Sequence, residues 1–500
     1  MSVAKNSMAN YAGQIYSILI GIVVTPLYMQ YLGAEAYGLV GFFALMQAWM
    51  GLLDMGLSPT LGRQVAYARG QKNGFVFFRK LLKSFELIFF VISVTIAIGV
   101  YIASDFIVIE WLNTESLEFF DVYYCIVLMG LMIGLRWFAS LYRSGIKGME
   151  RQVVLNAFNV SIITFKFAGA LLLLAFVSND VRHFFEFQLV VAVVELFVLG
   201  MMFYRFLPET TAKLKLVNFD FCAVKSVAPF ALSISYTSAI WILLTQTDKF
   251  VLSGILTLTE FGYFSLVALA AGAINKLSGP ILQALMPRMT VLLSEGDVQG
   301  MLKIYRQSSQ IVALICFSVA LMIGLYAEIL IFAWTGNYEA ARWGSDVLMW
   351  FALGNGILAI GAFQYYLQSA FGNLRLHVIG STISALIQVP LIYYAAVNYG
   401  ALGVAWLWFA FRLFWFLWWT PIIHNRFIPG FHLSWLFKDL LPVVLSVTTT
   451  ALLLNNFIPL EFSTERYLLI VQMILIGCLV LLLSSFTVKP VRQYFNVKFS

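Results

Sequence analysis

The chain has 500 residues, of which 61% are hydrophobic and 11% charged, and its formal net charge is +7. A soluble globular domain carries roughly a quarter charged residues, so this composition, with a mean hydropathy of +0.88, excludes a soluble enzyme or binding module and predicts a polytopic membrane protein. The positive balance needs no nucleic acid to explain it, because a basic cytoplasmic face suits anionic lipid headgroups.

In chain order, apolar runs of about 20 residues, long enough to cross a hydrocarbon core at 1.5 Å per residue, fall at residues 10–30, 36–57, 84–104, 121–141, 154–177, 183–207, 227–256, 261–286, 310–334, 347–370, 378–398, 401–422, 439–459 and 467–487. They predict an all-α fold of about 14 transmembrane helices. The first run begins near Tyr11, is long enough to span and has no small-residue cleavage site behind it, so it reads as a transmembrane helix. Its small residues recur every fourth place, at Gly13, Ser17, Gly21 and Thr25, followed by Pro26. Such a stripe favours close helix packing, and the proline offers a place to bend.

Orientation follows from the basic residues, which stay on the cytoplasmic side. With the N-terminus inside, the cytoplasmic segments hold about 22 of the 31 Lys and Arg, whereas the outer turns hold only Arg182, Arg342 and Arg466. The segment Ser58 to Lys83 carries Arg63, Arg69, Lys72, Arg79, Lys80 and Lys83 with no acid, and reads as a basic cytoplasmic loop. The stretch DFIVIEWLNTESLEFFD from Asp105 carries five acids and no base. Both termini are therefore expected in the cytoplasm.

The chain also repeats itself. The passage MQYLGAEAYGLVGFF from Met29 returns as SGILTLTEFGYFSLV from Ser253, and a shift of about 224 to 227 positions places Tyr37-Gly38 on Phe261-Gly262. The same shift brings FFRK at Phe77 near IYRQ at Ile304, and YRSGIKGMERQV from Tyr142 onto LQSAFGNLRLHV from Leu367. Six predicted helices lie within that offset, an even number, so the second copy enters the membrane in the same sense as the first: a parallel repeat. The expected organisation is an N-terminal six-helix lobe at 1–207, a cytoplasmic linker at 208–226, a second six-helix lobe at 227–422, and an extra helix pair with a basic cytoplasmic tail at 423–500.

At these residues the chain resembles a family. The start NYAGQIYSILIGIVVTPLYMQYLGAEAYGLVGFFALMQAWMGLLDMGLSPTLGRQVA, with TDKFVLSG and EFGYFS in the second half, is similar to the polysaccharide-transport, Wzx-like flippases of the multidrug/oligosaccharidyl-lipid/polysaccharide exporter superfamily. The resemblance implies two six-helix lobes forming a V around a central cavity. It also implies flipping of undecaprenyl-pyrophosphate-linked oligosaccharides across the bacterial inner membrane, for O-antigen, capsule or exopolysaccharide assembly. The partners it implies are the lipid-linked oligosaccharide, membrane lipids, a polysaccharide polymerase and a chain-length regulator. The first predicted helix has no charge between Asn10 and Gln30, a departure from the arginines of the lipid II branch that disfavours that substrate.

Charges inside the apolar runs are the functional pointers, since each is costly unless it faces protein or water. Near mid-depth lie Lys166, Glu195, Lys276 and Arg412, and the outer part of the seventh run holds Asp248 and Lys249. Lys166, Lys249, Lys276 and Arg412 are expected to line a substrate cavity, and Glu195 and Asp248 to be candidates for ion or proton coupling. Lys166 and Glu195 stand at nearly equal depth and could simply pair with each other. Trp408, Trp415 and Trp419 share a stripe with Arg412 and read as lipid-facing packing. Asp54 and Arg136 fall near cytoplasmic helix ends, where snorkelling is the ordinary explanation.

An enzyme is not expected. No P-loop, zinc-spacing pair or nucleophile elbow appears, so neither cofactor nor metal is called for. His183, His377, His424 and His432 fall at edges or in cytoplasmic loops, and Cys125, Cys222, Cys316 and Cys478 are scattered without a pairing spacing. The competing function on this architecture is an ion-coupled exporter of drugs or toxins. A site for organic cations would favour buried acids, whereas the mid-depth charges here are three bases against one acid.

Overall fold

Long apolar runs without water to satisfy their backbone must close every hydrogen bond internally, and helices do so. The computed structural model describes residues 3–54, 56–71, 74–208, 219–460, 462 and 465–489, with side chains from residue 12 onward except at Ser233. Lys72, most of the expected linker (209–218) and the tail beyond residue 489 lie outside the described residues. Among the described residues the fold is all-helical, with one isolated bridge between Asn113 and Thr257.

The chain divides into two compact units, Met1–Gly262 and Tyr263–Ser500. The first contains α1 (Val3–Leu32), α2 (Ala34–Met50), α3 (Leu57–Gly70), α4 (Gly74–Phe106), α5 (Phe119–Gly148), α6 (Gln152–Thr164), α7 (Ala170–Phe176), α8 (Val181–Phe206) and α9 (Phe221–Ser253). A single π-helical segment, Phe165–Gly169, joins α6 to α7. The division between the two units falls in the first turns of α10 (Leu258–Ser294), and α9 packs on α2, α3 and α4.

The basic segment expected as a loop is largely helical. Its first part is α3, and its last ten residues are the opening turns of α4, which at 33 residues is about 50 Å long and overruns a hydrocarbon core. At the centre of this unit lies α5, packed along both α4 and α8. It continues to Gly148, beyond the apolar run that ended at residue 141.

The second unit holds the rest of α10, then α11 (Val298–Leu325), α12 (Ala327–Thr335), α13 (Tyr338–Gly361), α14 (Phe363–Ala370), α15 (Arg375–Phe427), α16 (Phe431–Trp435), α17 (Leu441–Phe457) and α18 (Arg466–Ser485). Helix α15 spans 53 residues but breaks at Gly400, whose φ of 59° and ψ of −151° lie in a region essentially reserved for glycine. The two halves fold back on each other, since Gly380 lies against the ring of Trp419. Residues 39 apart on one straight helix would be separated by about 58 Å.

Among the described residues, twelve helices are long and apolar enough to cross a membrane, or thirteen if the bent pair Phe221–Leu232 and Ile234–Ser253 is one span. That pair, and the fold-back of α15, are the two places where the hydropathy reading of about 14 spans differs from twelve. The C-terminal pair α17 and α18 packs on α11, and α18 also on α12. A buried carboxylate helps to hold it there. Asp439, in the π-helical segment Leu436–Leu440, accepts from Arg306 Nη1, Gln310 Nε2 and Lys489 Nζ, each at 2.7 Å.

Candidate functional site

The charges that the sequence singled out fall into separate groups. Lys166, Glu195, Asp248 and Lys249 belong to the first unit, and Lys276 and Arg412 to the second.

In the first unit, α5 presents Arg136 and Arg143 two turns apart, and α8 presents Gln188 and Glu195 with the same spacing. The register pairs them: Arg143 forms an ion pair with Glu195, and Arg136 Nη2 donates to Gln188 Oε1 at 3.2 Å. Glu195 therefore pairs with Arg143, and not with Lys166 as equal depth suggested. Lys166 belongs to the same electrostatic cluster, coupled to Arg136, Arg143 and Glu195.

The backbone at Lys166 is π-helical, an irregularity that leaves carbonyls needing outside partners and recurs at functional sites. Here the Tyr28 hydroxyl donates to the Phe167 carbonyl at 2.9 Å, and Gln188 Nε2 to the Lys166 carbonyl at 3.2 Å. Gln188 thus bridges Arg136 and the lysine backbone. The lysine ammonium stands 5.5 Å from the Phe167 ring centre, and the Arg136 guanidinium 5.2 Å from that of Phe43.

Arg136 is 9% exposed, and its Nε and Nη1 have no hydrogen-bond partner among the described residues. A snorkelling position is therefore excluded. The physical reason is that α5 outruns its apolar stretch by seven residues, which places Arg136 well inside the bundle. Asp54 instead closes a local contact, accepting from the hydroxyl of Ser58, which also bonds Ser140. The cluster holds three cations against one carboxylate. Burying such an excess is costly unless an anion or water compensates it.

Asp248 is 2% exposed, with Lys249 Nζ 3.7 Å from its Oδ1. The same ammonium donates to the Thr245 carbonyl at 2.9 Å, so the pair is local to one turn of α9. In the second unit, Lys276 is exposed on α10, between Gly272 and Gly279, which open onto free space. One residue earlier, Asn275 bonds Asn355 of α13.

Arg412 is buried, with its guanidinium carbon 4.3 Å over the Trp408 ring. Trp408, Trp415 and Trp419 are all buried, so this stripe packs within the unit and does not face lipid. His424 and His432, expected at loop edges, are buried too: His424 bonds Tyr305 through Nε2 at 2.8 Å and His432 through Nδ1 at 3.0 Å.

The repeated passages meet. A side chain at Gly38 would collide with the Leu258 carbonyl, and one at Gly262 with the Ala34 carbonyl. Both contacts relate by the same shift of 224 positions, a reciprocal close approach that only glycine allows. Around it the expected outer turns are latched. Glu35 accepts from the backbone N–H of Glu115 at 2.6 Å, Ser116 at 3.0 Å and Leu117 at 3.4 Å, and from the Ser116 hydroxyl. The Leu258 N–H donates to the Asn113 carbonyl at 2.8 Å, and Trp111 Nε1 to the Ser253 hydroxyl at 3.0 Å. The second copy differs: Glu260 turns back to the Thr257 N–H at 3.2 Å in a capping box. The first copy's glutamate serves another loop, and the second serves its own helix.

Known proteins share this architecture. A Shigella flexneri protein named "Putative O-antigen transporter" is 22% identical over 409 residues, covering 82% of this chain and 94% of its own. The solved structure of the lipid II flippase MurJ in an inward closed conformation is similar at a TM-score of 0.70 and 15% identity, over 97% of this chain and 98% of that one. An inward-facing multidrug resistance MATE family transporter of the MOP superfamily is similar at 0.64 and 14%, over 83% and 95%. At such identities the two structures speak for the fold. The polysaccharide biosynthesis protein family matches residues 3–293, more than half of the sequence, and the chain belongs to that family.

Proposed function

We propose that the protein is a flippase of the bacterial inner membrane, with both termini cytoplasmic, that carries undecaprenyl-pyrophosphate-linked oligosaccharide from the cytoplasmic to the outer leaflet by alternating access. The observation that carries this reading is the cluster of buried Arg136 and half-buried Arg143 and Lys166, with Glu195 as its one acid among the described residues. A cargo with a pyrophosphate and a large polar head cannot cross hydrocarbon unaided, because each unpaired polar group costs several kcal/mol there. The cluster compensates the anionic part. Lys249, Lys276 and Arg412 extend the same chemistry, and Glu195 and Asp248 are the groups for ion or proton coupling. An exporter of organic cations would need the opposite balance.

The lipid tail stays in the bilayer while the head crosses. For two negative charges moving outward against an inside-negative potential of about 100 mV, the field contributes roughly 4 to 5 kcal/mol in the productive direction. In this reading the latched turns around Gly38 and Gly262 are the sealed outer side, and export requires them to part. The uncharged first span and the relative's printed name both favour a polysaccharide precursor over lipid II.

The test replaces Arg136 with Gln and Lys276 with Ala, separately, in cells that depend on this chain for a surface polysaccharide. The expected result is loss of surface polysaccharide with unchanged drug tolerance. Intact polysaccharide in both variants, or loss of drug tolerance alone, overturns the reading.

A further inference from the structure

At the expected outer end of the first unit, the first turns of α5 and α8 flank an open cleft of about 530 Å³ lined by Phe120, Asp121, Tyr124, Arg182, His183 and Glu186, among others. Its size falls within the range of small-ligand sites, roughly 300–1,000 Å³. It lies apart from the cation cluster: Asp121 and Arg136 are 15 residues apart on α5, about 22 Å along the helix.

The charges of the cleft are organised. Arg182 is held by Asp121 at 3.1 Å and by Asp180 at 2.6 Å, and the guanidinium keeps the Asp180 carboxyl below the usual carboxylate range. Glu186 accepts from the Tyr124 hydroxyl at 3.0 Å and has no ion-pair partner among the described residues. The lining thus carries two carboxylates, Asp121 and Glu186, against one guanidinium, the reverse of the balance in the cluster deeper in the same helices.

The cleft also opens at the head of an apolar stripe. From Glu186, the exposed face of α8 runs through Val190, Val194, Phe197 and Met201, spaced at helical intervals. In a membrane-spanning helix such a face meets acyl chains.

We propose that this cleft binds a phospholipid whose headgroup carries an ammonium. The ammonium pairs with Glu186, against the ring of Tyr124 and beside Asp121. The phosphate engages Arg182 and His183, and the acyl chains lie along the stripe from Val190 to Met201. The excess of carboxylates selects against anionic headgroups, and aromatic faces attract cationic ones. The site stands on the membrane setting of the fold and is independent of the cargo.

The test titrates the purified full-length protein in detergent with phosphatidylethanolamine or phosphatidylglycerol and counts lipid adducts by native mass spectrometry. One half-exposed ion pair is worth about fivefold in affinity, so the wild type is expected to prefer phosphatidylethanolamine by about that factor. Glu186→Gln is expected to bring the two lipids to parity, whereas Tyr124→Phe, which keeps the carboxylate, retains the preference. Asp121→Asn serves as a second probe should Glu186→Gln lower the melting temperature. Equal binding by the wild type, or an undiminished preference in both carboxylate variants, overturns the proposal. So does displacement of the lipid by a soluble amino sugar without an acyl chain, which would assign the cleft to saccharide.

Discussion

Gly262→Leu is expected to open the latch without unfolding the protein. The Cβ would collide with the Ala34 carbonyl, a backbone atom that cannot swing aside as a side chain would. Overpacking of this kind costs about 1–3 kcal/mol, and the cost falls only on the state in which the two passages touch. The equilibrium between latched and parted turns then shifts by roughly 5- to 150-fold. Amide hydrogen exchange reads this shift directly. The N–H groups of Glu115, Ser116 and Leu117 are protected by Glu35, and that of Leu258 by Asn113. Their exchange should quicken by the same factor while amides in α13 keep their rates. Gly38→Ala should act alike through the Leu258 carbonyl, and Gly21→Ala, which opens onto free space, should change nothing. Unchanged exchange at all four amides in both Gly262→Leu and Gly38→Ala would refute the steric argument.

Glu35→Gln should weaken the same latch by another route. A carboxylate that accepts several bonds contributes about 1.5–3 kcal/mol per charged hydrogen bond, so exchange at Glu115 to Leu117 should rise with little change at Gly38's partner Leu258. In the second unit, Asp439→Asn leaves Arg306 and Lys489 without their buried counter-charge, and breaking such a pair costs about 3–5 kcal/mol. Because both cations are partly exposed, the lower end applies. Thermal unfolding in detergent should show a clear drop, and Arg306→Met in the same chain should recover part of it; additive losses would contradict the network.

Much of this architecture could be read from periodicity and repetition. The likeness of the two passages was legible because Tyr37-Gly38 and Phe261-Gly262 stand at one offset, yet nothing in the pattern told that they touch each other. The charged cluster was half legible. Lys166 and Glu195 stand out because they interrupt apolar runs, but Arg143 lies past the end of one, and hydropathy cannot show that α5 continues as a buried helix to Gly148. Arg136 was discounted for the same reason. The pairing of Glu195 depended on the rotation of α5 against α8, a packing property that depth along a helix does not contain. The tryptophans around Arg412 were misplaced because a stripe on one helix has no sign: the fold-back at Gly400 turns it inward. The buried Asp439 and its half-buried partner Arg306 went unread, although Lys438-Asp439 at the head of an apolar run was the available signal, and His424 and His432 were placed at edges although both are buried.

The central claim is that the cluster of Arg136, Arg143 and Lys166 recognises the anionic part of a lipid-linked saccharide. Its most direct test is the affinity of the purified protein for a pyrophosphate-linked polyprenyl saccharide, measured beside Arg136→Gln and Lys166→Gln and against an uncharged analogue of the same lipid. Losing one partner of a buried charge pair costs 2–5 kcal/mol, so each substitution is predicted to weaken binding by at least about 30-fold and to leave the uncharged analogue unaffected. Unchanged affinity for the pyrophosphate ligand in both variants, with the proteins folded, would contradict the account.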